Sequence, residues 1–427
     1  MSLIKPRLLK GFRDFLPQQI WQRRYVIDVF IKTFEKYGYE PLETPTLEYF
    51  DILMGKYGEQ EKLVYNFEDF GKRRVALRYD LTVPASRVIA SYQNDLILPW
   101  KRYQIQPVWR ADNTQKGRFR EFYQCDADIF GSTSMLADAE YIQMGIEILN
   151  KLGFNDFQVL LNNRKILNGI TKYVGREDKF MDIVFVIDDW YKRSLEDNLK
   201  ELKNRGLNDN ESQKIFDLLT YEGEDKLSYF AAKLTGISDA ESGIKELRTI
   251  MELVKDAKVK FTPTIARGLS YYTGPIWEWY INEGNVGSVG GCGRYDKLVG
   301  SFIGNEIPAT GGSFGLERIM EVLTERKMLE ETKSEIKVMV SVFNEEFAPA
   351  SFEMATQLRS KGIPVLLFPG IRPLKKQFEY ASKKGIPYVI VMGEDEKALG
   401  VVGFKDMYKK EQKVIPLDDV IEILLSE

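Results

Sequence analysis

Arginine stands beside glycine or aromatic residues in three separated segments of this sequence, a setting suited to holding phosphate. The first is Trp109-Arg110-Ala111-Asp112 followed by Lys116-Gly117-Arg118-Phe119-Arg120-Glu121-Phe122. A guanidinium matches phosphate oxygens in pairs, and an aromatic between arginines can stack on a purine. A solvated charged hairpin with its Phe in the core fits the same residues. The second is Arg267-Gly268-Leu269-Ser270-Tyr271-Tyr272-Thr273-Gly274. Adjacent tyrosines on a strand point to opposite faces, so one core and one surface tyrosine is the plain reading. The third is Gly311-Gly312-Ser313-Phe314-Gly315-Leu316-Glu317-Arg318. Glycine lets backbone approach a ligand closely, but a Gly-rich strand-to-helix turn serves packing just as well.

The composition limits what else these residues can do. The 427-residue chain contains no histidine, which excludes a Ser-His-Asp triad, a Cys-His pair and any His-ligated metal. Two cysteines, Cys125 and Cys292, are too few for a disulfide framework or a Cys-rich zinc site and suit a reducing compartment. Chemistry is left to carboxylates, Arg, Lys, Tyr or an oxygen-bound metal. The formal net charge of −3 gives no global pull on nucleic acid, so any RNA contact rests on local basic patches. With 44% hydrophobic residues a sizeable core is available. At roughly 100–200 residues per domain the length implies about two to four domains. No secretory signal and no run of about 20 apolar residues is found, so a soluble cytoplasmic protein is expected.

The periodicity suggests which elements position the segments. Val26, Val29, Phe30, Phe34 and Tyr37 predict an amphipathic helix over 20–37, stopped by Gly38. Residues 39–46 read as extended. Strands are predicted at 74–77 and 101–109, with 120–128 as the returning arm of a hairpin that turns at 113–117. A helix follows at 136–152. From about 155 to 261 charged helical stretches such as 196–208 and 239–258 dominate, as in a helical module inserted into a sheet-based domain. Strands resume at 276–282 and 287–290, and 311–315 leads into a helix over 316–325. After the polar stretch 327–335, apolar runs at 336–342, 364–368 and 388–392 alternate with helices at 347–361 and 374–384. That alternation predicts a small α/β domain of about 90 residues.

Taken in order, these segments resemble the signature motifs of class II aminoacyl-tRNA synthetases, and of the histidine-specific family among them, over nearly the whole chain. Gly11-Phe12-Arg13-Asp14 and Gly38-Tyr39-Glu40-Pro41 through Pro45 are similar to the family's opening and motif 1, which implies a homodimer. Residues 109–128 are similar to motif 2 and 311–318 to motif 3. Arg267–Gly274 and Gly293-Arg294-Tyr295-Asp296 resemble signatures of the histidine enzymes. Leu77-Arg78-Tyr79-Asp80-Leu81-Thr82 resembles the archaeal and eukaryotic form of the amino-acid-binding loop.

The resemblance implies an α+β fold: a class II antiparallel sheet with flanking helices, a helical insertion and a C-terminal α/β anticodon-binding domain. The expected segments are 1–160 and 261–328 for the catalytic core, 161–260 for the insertion and 335–427 for the anticodon domain. The implied activity is ATP-dependent ligation of L-histidine to tRNA(His) through a histidyl-adenylate, with Mg²⁺ accompanying ATP.

The resemblance also implies roles. Arg110 meets the α-phosphate, Arg318 the γ end, and Arg118 lies along the triphosphate. Phe122 stacks on adenine, and Asp112 fills motif 2's acidic position. Asp80 and Thr82 hold the ammonium group and Gln124 the backbone portion of the amino acid, with Leu81 and Arg267 also among the histidine-binding residues. Asp128 meets the imidazole with Tyr271 and Tyr272 nearby. Arg267 and Arg110 are catalytic. Ser270 replaces a usual acidic residue, and Lys297 stands where Gly is common. Lys116, Arg372, Lys375 and Lys376, with Lys383 and Lys384, are candidates for tRNA contact; a solvated helix face fits the last five equally. A histidine-binding regulatory paralogue without aminoacylation activity is the alternative, and another class II synthetase is a further one.

Overall fold

The i, i+3, i+4 apolar spacing near the start of the chain yields the helix its period requires. In the computed structural model, which describes residues 4–284, 286–329 and 335–426, α1 spans Pro17–Lys36 and buries Val26, Phe30 and Phe34. Gly38 follows at φ +78°, the left-handed conformation that ends a helix at low cost.

The chain continues through β1 (Glu40–Pro41), β2 (Leu47–Tyr49), α2 (Phe50–Leu53), β3 (Asn66–Glu68), β4 (Arg74–Leu77) and α3 (Thr82–Ser91). The long hairpin β5 (Trp100–Trp109) and β6 (Glu121–Phe130) precedes α4 (Met135–Lys151) and β7 (Phe157–Asn163). Six helices come next: α5 (Arg164–Tyr173), α6 (Phe180–Asp188), α7 (Leu195–Asn204), α8 (Asp209–Leu219), α9 (Lys226–Lys233) and α10 (Ser238–Val254). The chain then returns through β8 (Val259–Phe261), β9 (Pro275–Ile281), β10 (Gly290–Arg294), α11 (Gly300–Ile303), β11 (Ala309–Gly315) and α12 (Leu316–Glu325).

Eight strands share one sheet in the order β1-β5-β6-β11-β10-β9-β7-β8. The inner six pair antiparallel, as expected. Both edges pair parallel, β1 on β5 and β8 on β7, so the sheet is mixed. Strands β2, β4 and β3 form a separate small sheet.

One face of the large sheet is apolar. Cys125, Ala127, Ile129, Trp277, Trp279, Cys292 and Phe314 are buried there. Helices α1 and α4 cover it: the Phe30 and Phe314 rings lie 5.4 Å apart, and Tyr141 meets Trp277 at 5.6 Å. The packing is tight enough that a Cβ on Gly145 of α4 would fall 2.3 Å from the Trp279 ring. Truncating either buried tryptophan would cost about 3–5 kcal/mol.

Several sequence expectations change. The boundary at 160/161 falls inside β7; the run of six helices begins only after Asn163, and the return strand β8 pairs beside β7. The strand expected at 287–290 lies at Gly290–Arg294 instead. Tyr271 and Tyr272 are not on a strand; residues 270–271 form a turn, and the two rings sit 4.8 Å apart rather than on opposite faces.

The second compact unit follows the 330/331 division. It contains β12 (Val338–Val340), α13 (Ala348–Ser360), β13 (Val365–Leu367), α14 (Leu374–Lys383), β14 (Tyr388–Val391), α15 (Glu394–Leu399), β15 (Val402–Asp406), β16 (Gln412–Ile415) and α16 (Leu417–Ser426). Its sheet order is β13-β12-β14-β15-β16, parallel through β14 and antiparallel after it.

Candidate active site

The other face of the large sheet is polar, and strand register explains why. Side chains on one face recur every second residue. Arg102 of β5 pairs with Asp128 of β6, which pairs with Gly311 of β11, which pairs with Gly293 of β10. The adjacent row runs Gln104, Asp126, Ser313, Gly291 and Glu278. A third contains Gln106, Gln124 and Gly315. Polar side chains from β5 and β6 thus flank a central strip largely of glycine.

The strip is where other groups are seated. An added Cβ on Gly291 would fall 2.2 Å from the Arg267 guanidinium, one on Gly293 2.7 Å from the Tyr272 ring, and one on Gly311 2.4 Å from the Asp128 carboxylate. The glycines supply room for side chains to lie against backbone.

Four arginines gather over this face. Arg267 donates from Nη1 to Glu278 Oε1 at 2.8 Å, and its buried Nε has no partner. Its φ is +54°, uncommon for a non-glycine residue. Arg110 donates from Nε to the Tyr79 carbonyl at 3.1 Å and lies over the Tyr79 and Phe122 rings at 4.3 and 5.1 Å. Arg318 donates to the Ser288 carbonyl, and its stem packs against the hairpin turn, 3.4 Å from a Cβ on Gly117. Among the described residues neither Arg110 nor Arg318 pairs with a carboxylate. Arg118 does, meeting Asp112 at 3.2 Å. Burial lowers the Arg318 pKa, and the charges of Arg118, Arg110 and Arg267 lower it further against the pull of Glu278. The four guanidinium groups therefore share one electrostatic neighbourhood that an anion would relieve.

Arg318 is aimed by the residue before it. Glu317, in the first turn of α12, accepts from Arg23 of α1 at 2.8 Å and from the Tyr123 backbone N–H at 2.9 Å. This buried anchor fixes the helix start, and Arg318 projects beside Ser288.

A pocket of different character adjoins the arginines. Asp80 Oδ1 accepts from Tyr57 OH at 3.1 Å and from the Val83 N–H at 3.0 Å, while its buried Oδ2 has no partner. Burial raises its pKa against the opposing bonds and the charges of Arg110 and Arg102. Gln124 presents a buried, unpartnered Oε1. Asp128 is fully buried, ion-paired with Arg102 and bonded by Tyr295 OH. Burial also raises the Asp128 pKa, opposed by Arg102 and the Tyr295 bond. Beside it, burial pushes Asp126 up to about 8, Arg102 opposing and Asp128 adding to the shift. Tyr271 lies 5.8 Å from Tyr295, and Asp80, Arg267 and Tyr57 all act on its hydroxyl. Thr82 is buried at the start of α3. The Leu81 side chain is in the core, so only its backbone is available, and its carbonyl accepts from Arg102 at 3.3 Å.

The arginines and the pocket residues named from the sequence thus share one region. Phe119 does not serve as a free stacking platform, because the Arg13 guanidinium covers its ring at 3.3 Å. Lys116 is ion-paired with Glu325. Ser270 ties its loop to the Lys56 carbonyl at 3.1 Å. Lys297 is exposed and is not among the residues with left-handed backbone, so no glycine is required there. In the second unit, Lys375 and Lys383 of α14 line a hollow of about 580 Å³ with Phe378, Glu379 and Ser382; Lys376 pairs with Glu379 at 2.8 Å, and Arg372 and Lys384 are exposed.

Sequence reasoning missed Arg102, Tyr57, Glu278 and the part played by Tyr295. Arg102-x-Gln104-x-Gln106 is polar with period two inside a long strand, the one signal that would have exposed a polar sheet face.

The histidyl-tRNA synthetase family profile matches residues 11–319, and an anticodon binding domain profile matches 337–427. A histidine–tRNA ligase of Cytophaga hutchinsonii is 38% identical, covering 99% of this chain and 100% of its own. One from Wolinella succinogenes is 39% identical, covering 100% and 99%. The crystal structure of histidyl-tRNA synthetase from Nostoc sp. PCC 7120 superposes with a TM-score of 0.84 at 32% identity, covering 99% of this chain and 100% of that one.

Proposed function

Because the chain belongs to the histidyl-tRNA synthetase family, we propose the following division of labour for its ATP-dependent ligation of L-histidine to tRNA(His). The single observation that carries it is the gathering of Arg110, Arg118, Arg267 and Arg318 beside a pocket edged by Asp80, Gln124 and Asp128.

ATP binds along the arginines: Arg110 on the α-phosphate, Arg118 along the chain, Arg318 at the γ end, with adenine on Phe122 and Asp112 steering Arg118. Histidine binds with its ammonium on Asp80, Thr82 and the Leu81 backbone. Gln124 meets its main-chain portion. The imidazole lies against Asp128, Tyr271 and Tyr272. Imidazole carries one N–H and one lone pair; a pocket that pairs both leaves buried groups unsatisfied when another amino acid enters, which rejects it by roughly 10⁴–10⁵.

A histidine carboxylate oxygen then bonds to the α-phosphorus as the bond to the pyrophosphate oxygen breaks. The nucleophile is already ionised, so no general base is required, in keeping with a chain free of histidine. Arg110 and Arg267 stabilise the charge on the α-phosphoryl oxygens. In the second step a terminal ribose hydroxyl of the tRNA bonds to the activated carbonyl and AMP departs, its phosphate being placed to take the proton.

Mg²⁺ commonly takes one or two carboxylates plus substrate phosphates. Glu278 and Asp112 are the carboxylates paired with the site arginines, and the ion would add positive charge at the phosphoryl oxygens.

Lys116 and the α14 face with Arg372, Lys375 and Lys376 are proposed tRNA contacts, and a homodimer and a cytoplasmic location complete the reading. No described helix is long and apolar enough to cross a membrane. The relatives named above are bacterial, so the likeness to archaeal and eukaryotic enzymes is proposed for the 77–82 loop alone. The segments 164–258 as insertion and 335–427 as anticodon domain are part of the same proposal. Carboxylate-free Arg110 and Arg318, together with the anticodon-domain match, favour ligation over a histidine-binding regulatory paralogue. The test is ATP–pyrophosphate exchange with each amino acid, followed by tRNA charging. Exchange with histidine alone is expected. Histidine binding without exchange, or exchange driven by proline, threonine or glycine, would overturn the reading.

A further inference from the structure

The guanidinium assigned to the α-phosphate rests on the residue next to the one assigned to the ammonium group. Tyr79 immediately precedes Asp80, is only 1% exposed, and holds Arg110 twice. Its carbonyl accepts from Arg110 Nε at 3.1 Å, and its ring lies against the guanidinium, 4.3 Å from Cζ to the ring centroid. Phe122 is the more distant ring, at 5.1 Å, and adenine is assigned to it. Among the described residues no carboxylate pairs with Arg110. A carboxylate would orient the guanidinium but occupy its N–H groups and offset the charge that a phosphate needs. An aromatic face orients the same plane and takes none of its hydrogens.

The Tyr79 ring is itself braced. Its hydroxyl donates to Gln60 Oε1 at 2.5 Å, and the Tyr57 ring lies 4.7 Å away at 42°. Tyr57 OH in turn donates to Asp80 Oδ1 at 3.1 Å. The backbone on both sides is tied down as well. The Trp109 N–H donates to the Arg78 carbonyl at 3.1 Å, and the Ala111 N–H to the Leu63 carbonyl at 2.8 Å. Arg78 is buried and donates to the Thr44 and Pro107 carbonyls at 2.6 and 2.9 Å. Tyr57 and Tyr79 therefore join the Asp80 carboxylate to the Arg110 guanidinium by a direct contact at each link.

We propose that Tyr79 is a positioning residue for Arg110, whose ring face sets the plane of the guanidinium while leaving its charge unpaired for the α-phosphoryl oxygens. The inference rests on the reading above that Arg110 stabilises those oxygens.

The test is histidine-dependent pyrophosphate exchange by the full chain carrying Tyr79→Leu, Tyr79→Phe, Arg110→Ala and the Tyr79→Leu/Arg110→Ala pair, beside calorimetric histidine binding without ATP. A desolvated cation–π contact corresponds to roughly ten- to thirtyfold. A kcat loss of that size is expected for Tyr79→Leu, with histidine affinity within about twofold and most of the kcat recovered in Tyr79→Phe. In the Arg110→Ala background Tyr79→Leu should remove nothing more, since it acts through the missing side chain. A second series installs mono-, di- and trifluorophenylalanine at position 79, which drains the ring face of negative charge at nearly constant size. There kcat should fall with each fluorine, and this series decides the question even where Tyr79→Leu fails to fold. A wild-type kcat for Tyr79→Leu, equal losses in both backgrounds, or a kcat indifferent to fluorination would overturn the inference alone. A parent that fails to exchange with histidine, or Arg110→Ala with the parent's kcat, would overturn the functional reading and the inference with it.

Discussion

Replacing Arg267 separates what its guanidinium does from what its backbone costs. In both Arg267→Ala and Arg267→Gly the donor to the developing phosphoryl charge is gone, and Glu278 loses its 2.8 Å partner while keeping the Tyr280 hydroxyl. Loss of one preorganised donor to a reacting oxyanion costs about 2.7–4 kcal/mol, or 10²–10³ in kcat. Both variants should therefore lose that much in histidine-dependent exchange, while the KM for ATP changes little because Arg110, Arg118 and Arg318 remain. The two should differ in stability. The φ of +54° penalises alanine by about 1–2 kcal/mol but not glycine, so the glycine variant should melt roughly 2 °C or more above the alanine variant. Steady-state exchange kinetics and thermal melts of the pair measure both effects. Near-wild-type exchange in either variant, or a large rise in the ATP KM with kcat preserved, would refute the role assigned to Arg267. Equal melting temperatures would refute the backbone argument.

Other substitutions probe the pocket and the second unit. Asp128→Asn weakens the pair with Arg102 and the Tyr295 bond; leaving a buried polar group poorly satisfied costs about 1–3 kcal/mol, so the histidine KM should rise roughly 10- to 100-fold with the ATP KM unchanged. An unaltered histidine KM would remove Asp128 from the imidazole. Asp126 sits at about 8 in the folded state, raised by burial from an ordinary value of 3.8. The folded chain thus holds a proton there that the unfolded chain has released, so stability falls as pH rises between those values. Asp126→Asn should accordingly gain melting temperature relative to the parent at pH 8 more than at pH 5, and a pH-independent difference would contradict the shift. Lys375→Ala with Lys383→Ala should raise the KM for tRNA and weaken its salt dependence while leaving pyrophosphate exchange intact; unchanged tRNA KM would clear α14 of contact.

The legible parts of the chain were those whose information is local. The hairpin arms expected at 101–109 and 120–128 fall within two residues of the observed Trp100–Trp109 and Glu121–Phe130, and the helix expected at 316–325, after its glycine-rich approach, matches the observed bounds. The tyrosine pair was misread because two aromatics beside Gly268 and Gly274 look extended when only propensity is weighed; contacts from Arg164, Tyr191 and Asn162 hold the preceding loop instead. Strand β7 was hidden because a seven-residue segment ending in Asn162-Asn163 runs directly into helix α5 with no loop between them. Arg102 was passed over because Lys101-Arg102 looks like surface charge. Its burial depends on Asp128, which lies 26 positions on and becomes a neighbour only once the hairpin register is set.

The bare strip of backbone across β10 and β11 makes this chain fragile in a particular way. One methyl group at Gly291 would collide with the Arg267 guanidinium, at Gly293 with Tyr272, and at Gly311 with Asp128. At Gly291 the nearest atoms met all belong to the Arg267 side chain, whereas at Gly311 the Ala127 carbonyl, 2.3 Å away, and at Gly293 the Pro275 carbonyl, 2.8 Å away, are met as well, so those two changes also press on the neighbouring strands. A lineage could thus displace Arg267 through a single added carbon at Gly291 while the opposite, apolar face of the sheet keeps its packing.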